Sequence, residues 1–298
     1  MDKKIKNNVK AALAIGSLVC AFSVPVQADL NTGLVAHYSF DDCTAKDVTG
    51  NGYDGVIQGT PSCETTTQGK GLYLNKSGSQ GQYIVLPTFD AIWSTGFSVC
   101  GLVRLQNARF WERIIDFGNG RGKDNILVAR ESTTNRLDVH SYVNNSVYAL
   151  AKGNAITRNV SKQYCVTIDN TQQQMALYIQ GDKVSQIAGS IANVARSLNY
   201  IGHSNWLVDS DTQGIFDDIL IYSRALSAIE VKNLYIKAIT DISGTLAGFN
   251  TTGFSVQCQN ITTGQSVSVA SVAFNCEAAG LVINPNDVIH INIDGKVK

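Results

Sequence analysis

Apolar and polar residues alternate along most of this chain. In Leu34–Phe40, residues Leu34, Ala36, Tyr38 and Phe40 share one parity. In Arg136–Val143, residues Leu137, Val139 and Val143 fall on one face, and Asp138, His140 and Tyr142 on the other. In Met175–Val184, residues Met175, Leu177 and Ile179 fall together before a turn at Gly181-Asp182. A period of two sends successive side chains to opposite faces of a strand. Similar short runs occupy Gly71–Asn75, Gln82–Leu86, Phe97–Val103, Arg113–Phe117, Asn125–Arg130, Gln163–Ile168, Tyr200–Gly202 and Ile215–Tyr222, with Gly, Asn and Asp turns between them. The pattern predicts an all-β sandwich or barrel. One segment breaks the period. Ser227 and Glu230 form an S-x-x-E capping box, and Ile229, Val231, Leu234 and Tyr235 supply an apolar stripe, which predicts a helix ending near Lys237. Beyond it, Ile242–Leu246, Phe254–Cys258, Ser266–Ala270, Val272–Cys276 and Val288–Asp294 read as the strands of a second, smaller β unit. That unit is too short to build a large core, so a disulfide is a reasonable staple.

The first residues follow another pattern. Lys3, Lys4, Lys6 and Lys10 precede an apolar run from Ala11 to Ser23, and Val26-Gln27-Ala28 offers small residues for cleavage. This is a secretory leader over residues 1–28, and its apolar run is too short for a membrane span. The chain then divides into the leader, a sandwich over 29–238 and a small module over 239–298. The expected compartment is secreted or periplasmic. Charged residues make up 16% of the 298, with 24 basic and 24 acidic side chains. Without a basic surplus, nucleic acid is not an expected partner. Loss of the leader also removes Cys20 and leaves six cysteines in an exported chain, which suggests disulfides. The expected pairs are Cys43–Cys63 around a Gly-rich loop, Cys100–Cys165 across adjacent antiparallel strands, and Cys258–Cys276 in the small module. Two buried free thiols are the alternative for Cys100 and Cys165.

Three ordered segments carry a family likeness: GLVAHYSFDD (Gly33–Asp42) with DVTGNGYDG (Asp47–Gly55), CVTIDNTQQQMALYIQGDKV (Cys165–Val184), and YIGHSNW (Tyr200–Trp206) with GIFDDILIYSRALSAIEVKNLY (Gly214–Tyr235). Together they resemble the bacterial LamG-like jelly-roll domains of the concanavalin A-like lectin/glucanase superfamily. The resemblance implies a concanavalin A-like jelly-roll β-sandwich, followed here by the small sandwich-like module. It also implies a structural Ca²⁺ in many members. Asp217, placed inward by its parity with Ile215, Ile219 and Ile221, would join Asp47, Asn51 and, less centrally, Asp41 as oxygen ligands suited to that ion. A tight loop, with Asp217 accepting backbone N–H bonds, needs no metal.

The candidate chemistry is recognition rather than catalysis. Sugar rings stack on aromatic faces while their hydroxyls bond to Asn, Asp and Arg. Trp111 in ARFWERI, Tyr142 and Tyr148 flanking Asn144-Asn145 at a hairpin tip, and Trp206 in the HSNW loop are the candidate platform. Each could instead cover its own loop. A hydrolase of this superfamily needs clustered carboxylates facing one bond. Glu64, Glu112, Glu131, Glu230 and Glu277 stand apart, and Asp217-Asp218 are strand neighbours expected on opposite faces. GNGRGKD (Gly118–Asp124) lacks the Lys-Ser/Thr of a phosphate loop and reads as a hairpin loop. The expectation is a non-enzymatic binder of a glycan or glycoconjugate. The alternative is a surface-assembly subunit that binds a protein.

Overall fold

The computed structural model describes residues 30–77, 80–240, 243–245, 254–270, 273–276, 278–283 and 289–295. The expected leader and its junction lie outside the described residues. Two antiparallel sheets form the sandwich. The first runs Asp182–Ala188, Gln174–Ile179, Lys162–Asp169, Gly96–Leu105, Gly214–Tyr222, Gly69–Leu74, Ser62–Thr66, and Leu34–Tyr38 also pairs with Gly214–Tyr222. The second runs Ser146–Lys152, Leu137–Val143, Ile126–Arg130, Arg113–Gly118, Leu198–Ile201, Tyr83–Leu86, Val56–Gln58. Hairpin-joined strands alternate with neighbours far apart in sequence, as where Gly96–Leu105 lies between Lys162–Asp169 and Gly214–Tyr222, which is how a jelly roll is wound.

Alternation builds the core. Val99, Val103, Val166, Ile168 and Leu177 of the first sheet meet Ile84, Ile115, Phe117, Val128 and Val139 of the second. Phe89, Trp93, Phe97 and Phe117 add a ring cluster with centroids 5.4–6.3 Å apart. The helix Ala228–Thr240 lies on the outer face of the first sheet, where Leu226, Val231 and Leu234 pack with Tyr178, Tyr222 and the Cys100–Cys165 pair. Its capping box closes reciprocally: Glu230 N–H donates to Ser227 Oγ at 3.3 Å, and Ser227 N–H to Glu230 Oε2 at 2.7 Å. The helix runs three residues past its expected end, and Ile229, assigned to the apolar stripe, is 70% exposed. It sits in the first turn, on the side away from the sheet that Val231 and Leu234 cover.

The structure carries three disulfides, Cys43–Cys63, Cys100–Cys165 and Cys258–Cys276, the pairing expected from the sequence. Cys100 and Cys165 stand directly opposite each other in the ladder, with Cα atoms 4.0 Å apart. In the small unit, Ser243–Thr245 pairs with Ala273–Asn275, and Phe254–Asn260 lies between Ser266–Val269 and Ile289–Gly295. Among the described residues no helix is long and apolar enough to cross a membrane.

Candidate functional site

The parity assigned to Asp217 fails at one residue. Asp218 has φ +46°, and the ladder to Gly96–Leu105 shifts register between Asp217 and Leu220. This β-bulge exchanges the faces: Phe216 points into the core before it, Ile219 and Ile221 after it. Asp217 therefore lies opposite Leu102 on the outer side, fully buried, and Asp218 opens on the same side. The two carboxylates do not face opposite ways. A cavity of about 600 Å³ sits there, lined by the apolar Leu30, Leu34, Leu220 and Leu234 and by the titratable His37, Asp41 and Asp218. His37 Nε2 lies 2.8 Å from Asp218 Oδ1. Asp217 does not line the cavity; one oxygen accepts from Thr66 Oγ1, and the other has no donor. Burial, reinforced by Asp218 and Asp41, pushes its carboxyl up to about 8.

The residues expected to hold calcium do not fit it. Asp47 Oδ1 accepts from His37 N–H, Thr49 N–H and Thr49 Oγ1 at 2.7–3.1 Å, and Oδ2 from Tyr53 N–H at 3.2 Å. Burial raises the Asp47 carboxyl, but these donors outweigh it and hold it below the ordinary carboxylate range. Asn51 sends its amide nitrogen to the Leu34 and Val35 carbonyls at 3.2 and 3.0 Å. Both residues pin the 47–54 loop to the first strand. Asp41 Oδ1 instead accepts Lys70 N–H at 2.9 Å. Among the described residues no three His, Cys, Asp or Glu side chains form a group that could hold a metal ion.

The aromatic candidates do converge, with one exception. On the outer face of the second sheet, ring centroids run Trp111–His140 at 6.0 Å, His140–Tyr142 at 6.3 Å and Tyr142–Trp206 at 5.6 Å. Trp111 precedes Arg113–Gly118, His140 and Tyr142 project from Leu137–Val143, and Trp206 follows Leu198–Ile201. The row continues as a second cluster: Tyr83 stacks on His203 at 4.2 Å, and Tyr200 meets His203 edge-on at 4.9 Å. His140 to Tyr83 spans five adjacent strands, roughly 19 Å at the usual strand spacing. Tyr148 stands apart. It lies opposite Ser141 on the inward parity and packs against the core. The hairpin tip is where the sequence put it, with Asn144 and Asn145 at φ +47° and +66° in a two-residue turn.

One buried cation organises the row. Arg113 is 3% exposed; it pairs with Asp116 at 3.3 Å and with Asp209, and donates to the Trp111 carbonyl at 2.6 Å. Its guanidinium carbon lies 6.0 Å from the Trp111 ring and 5.3 Å from the Trp206 ring. Asp116, fully buried, also accepts Asn125 Nδ2 at 2.8 Å, Asn205 Nδ2 at 2.9 Å and Asn205 N–H at 3.0 Å. Burial drives its carboxyl upward against Arg113 and these donors. A second buried pair, Arg130–Glu112, clamps the turn that presents Trp111. Trp111 itself has φ +49°, unusual for a bulky side chain. Its N–H donates to the Ser132 carbonyl at 3.2 Å, so the conformation is held from both sides. Sequence reasoning placed His140 and Tyr142 on one face, and set Arg113 beside Trp111 and His203 beside Trp206, but it missed Tyr83 and Tyr200. The burial of Arg113 between two carboxylates and two rings depends on contacts that the alternation does not mark.

Residues 77–232 match the family model of the concanavalin A-like lectin/glucanases superfamily. The chain belongs to this superfamily. No curated protein matches the sequence. Among solved structures, the chain is similar to domain 4 of AbnA, an extracellular arabinanase from Geobacillus stearothermophilus solved with arabinotriose. The identity is 23%, the TM-score 0.51, and the match covers 68% of this chain and 98% of that one. The botulinum neurotoxin DC binding domain, solved with rat synaptotagmin II, is 14% identical with TM-score 0.55, covering 90% and 73%. A type C botulinum neurotoxin structure, described through cell entry dependent on two ganglioside molecules, is 14% identical with TM-score 0.54, covering 90% and 72%. At these identities the likeness is one of fold.

Proposed function

We propose that this chain is an exported, non-catalytic recognition protein that binds a glycan across the outer face of its second sheet. The observation that carries the reading is the row Trp111, His140, Tyr142 and Trp206, with rings 5.6–6.3 Å apart and an ion-paired Arg113 beneath. Ring faces suit the C–H faces of sugars, and a platform fixed before binding loses little entropy on binding. The solved arabinanase domain and the ganglioside-dependent toxin support the reading by fold analogy. Three disulfides support an oxidising compartment, secreted or periplasmic. The reading draws on no metal: among the described residues Asp41, Asp47 and Asp217 belong to no group of three His, Cys, Asp or Glu side chains that could hold one.

A glycan array with the purified protein tests the proposal. A specific hit is expected, and Trp206→Ala is expected to weaken it roughly tenfold, the equivalent of about 1.4 kcal/mol. Tyr148→Ala is expected to leave affinity unchanged, since that ring faces the core. A folded protein that binds no glycan would turn the reading toward a surface-assembly subunit.

A further inference from the structure

Beside the aromatic row stands an apolar tip that sugar stacking does not use. Trp206 and Asp209 close a four-residue turn, with Asp209 N–H donating to the Trp206 carbonyl at 3.1 Å. Its two central residues are Leu207 and Val208, 97% and 74% exposed. Phe110, 49% exposed, adjoins them, because Ser210 N–H donates to the Phe110 carbonyl at 3.0 Å. Central turn positions ordinarily carry Asn, Asp, Gly or Ser. Here two aliphatic side chains stand in water, and neither contributes to the core of the sandwich. Nor is the turn loosely held. The Asp209 carboxylate pairs with buried Arg113 and accepts Ser204 Oγ at 3.1 Å, while Trp206 N–H donates to Ser204 Oγ at 3.0 Å. A buried ion pair thus holds a hydrophobic tip outward.

We propose that this tip inserts into a lipid surface, so that the glycan read by the aromatic row is one carried on a lipid. The second clause rests on the proposed glycan reading; the first does not. The shape is a projection rather than a groove, which suits a fluid surface. Trp111, Tyr142 and Trp206 flank it, and such rings favour the boundary between apolar and wet regions. Arg121 and Lys123, exposed in the neighbouring 118–124 loop, make no ion pair among the described residues, and Arg121 is near enough to act on the Tyr142 phenol. Asp209 and Asp211, the carboxylates of the tip loop, are paired with Arg113 and His203. Within the 118–124 loop the exposed cations Arg121 and Lys123 outnumber its one carboxylate, Asp124, which accepts Asn119 Nδ2 at 3.3 Å, so the loop offers positive charge to anionic headgroups. Two or three shallow side chains give reversible attachment, not permanent anchoring.

The experiment is flotation of the full purified protein with vesicles of phosphatidylcholine alone and of phosphatidylcholine with phosphatidylglycerol, alongside tryptophan emission. Of the three tryptophans, Trp93 is fully buried, so a shift reports Trp111 and Trp206. The expected result is flotation with the anionic vesicles, weakened by salt, and a blue-shifted emission. Leu207→Ser with Val208→Ser should reduce partition at least tenfold, with an unchanged circular dichroism spectrum and unchanged affinity for a soluble glycan from the array. Absence of flotation on both vesicles by folded protein overturns the proposal. So does a double variant that floats like the parent, or one that loses soluble glycan to the same degree, which would make the tip a sugar subsite. Glycan binding without flotation removes this proposal alone. Flotation without any glycan binding keeps the insertion and removes the glycan reading.

Discussion

At the scale of single residues, burial decides which charges matter. Arg113 touches two carboxylates and two rings, so its loss leaves Asp116 buried without its cation. Arg113→Ala is expected to destabilise the fold by about 3–5 kcal/mol, read as a lower urea midpoint at unchanged m-value. Asp217 has no cation at all. Its carboxyl is raised from 3.8 to about 8, so the folded state holds the proton more tightly than the unfolded chain. Its favourable contribution is complete below about pH 4 and is lost as pH rises to about 8. Asp217→Asn, which keeps an acceptor for Thr66, should therefore melt at a progressively higher temperature than the parent between those limits. Parallel melting curves from pH 4 to 9 test this; a constant difference across the range would mean that the carboxyl titrates normally. Asp217 was legible as a buried acid. Its face was not, because the register shift at Asp218 depends on the neighbouring strands and leaves no mark on the alternation.

At the scale of elements, local chemistry was the most legible. The Ser227 and Glu230 box starts the helix where the sequence puts it, and Ser227→Ala is expected to cost about 1 kcal/mol. The Asn144-Asn145 turn and the 118–124 loop join antiparallel neighbours as read. Val56–Gln58, Ser62–Thr66 and Ser146–Lys152 were harder to see, since much of each is exposed or half-buried and lacks a clear apolar face. Pairing of Cys100 with Cys165 ties two central strands across a separation of 65 residues. Replacing both by Ser should lower stability by about 2–5 kcal/mol, measured by denaturant unfolding without reductant. No loss would mean that the ladder on either side already fixes the pair.

At the scale of the whole molecule, two sheets share one core, and their outer faces differ. The helix covers part of one, while the other presents the aromatic row. Because Asp41, Asp47 and Asp217 do not converge, neither Ca²⁺ nor EDTA is expected to move the melting temperature; a rise with Ca²⁺ would show that other oxygens complete a site. The sequence by itself determined what depends on near neighbours along the chain: the strand period, the helix cap, the turns, the cysteine count and a family likeness held in ordered motifs. Those are short-range effects of backbone geometry and side-chain polarity. Only the tertiary structure decided the bulge that moved Asp217, the inward turn of Tyr148, and the meeting of Trp111, Tyr142 and Trp206 around Arg113. These depend on which distant strands lie side by side, and a jelly roll makes neighbours of segments that the sequence keeps far apart.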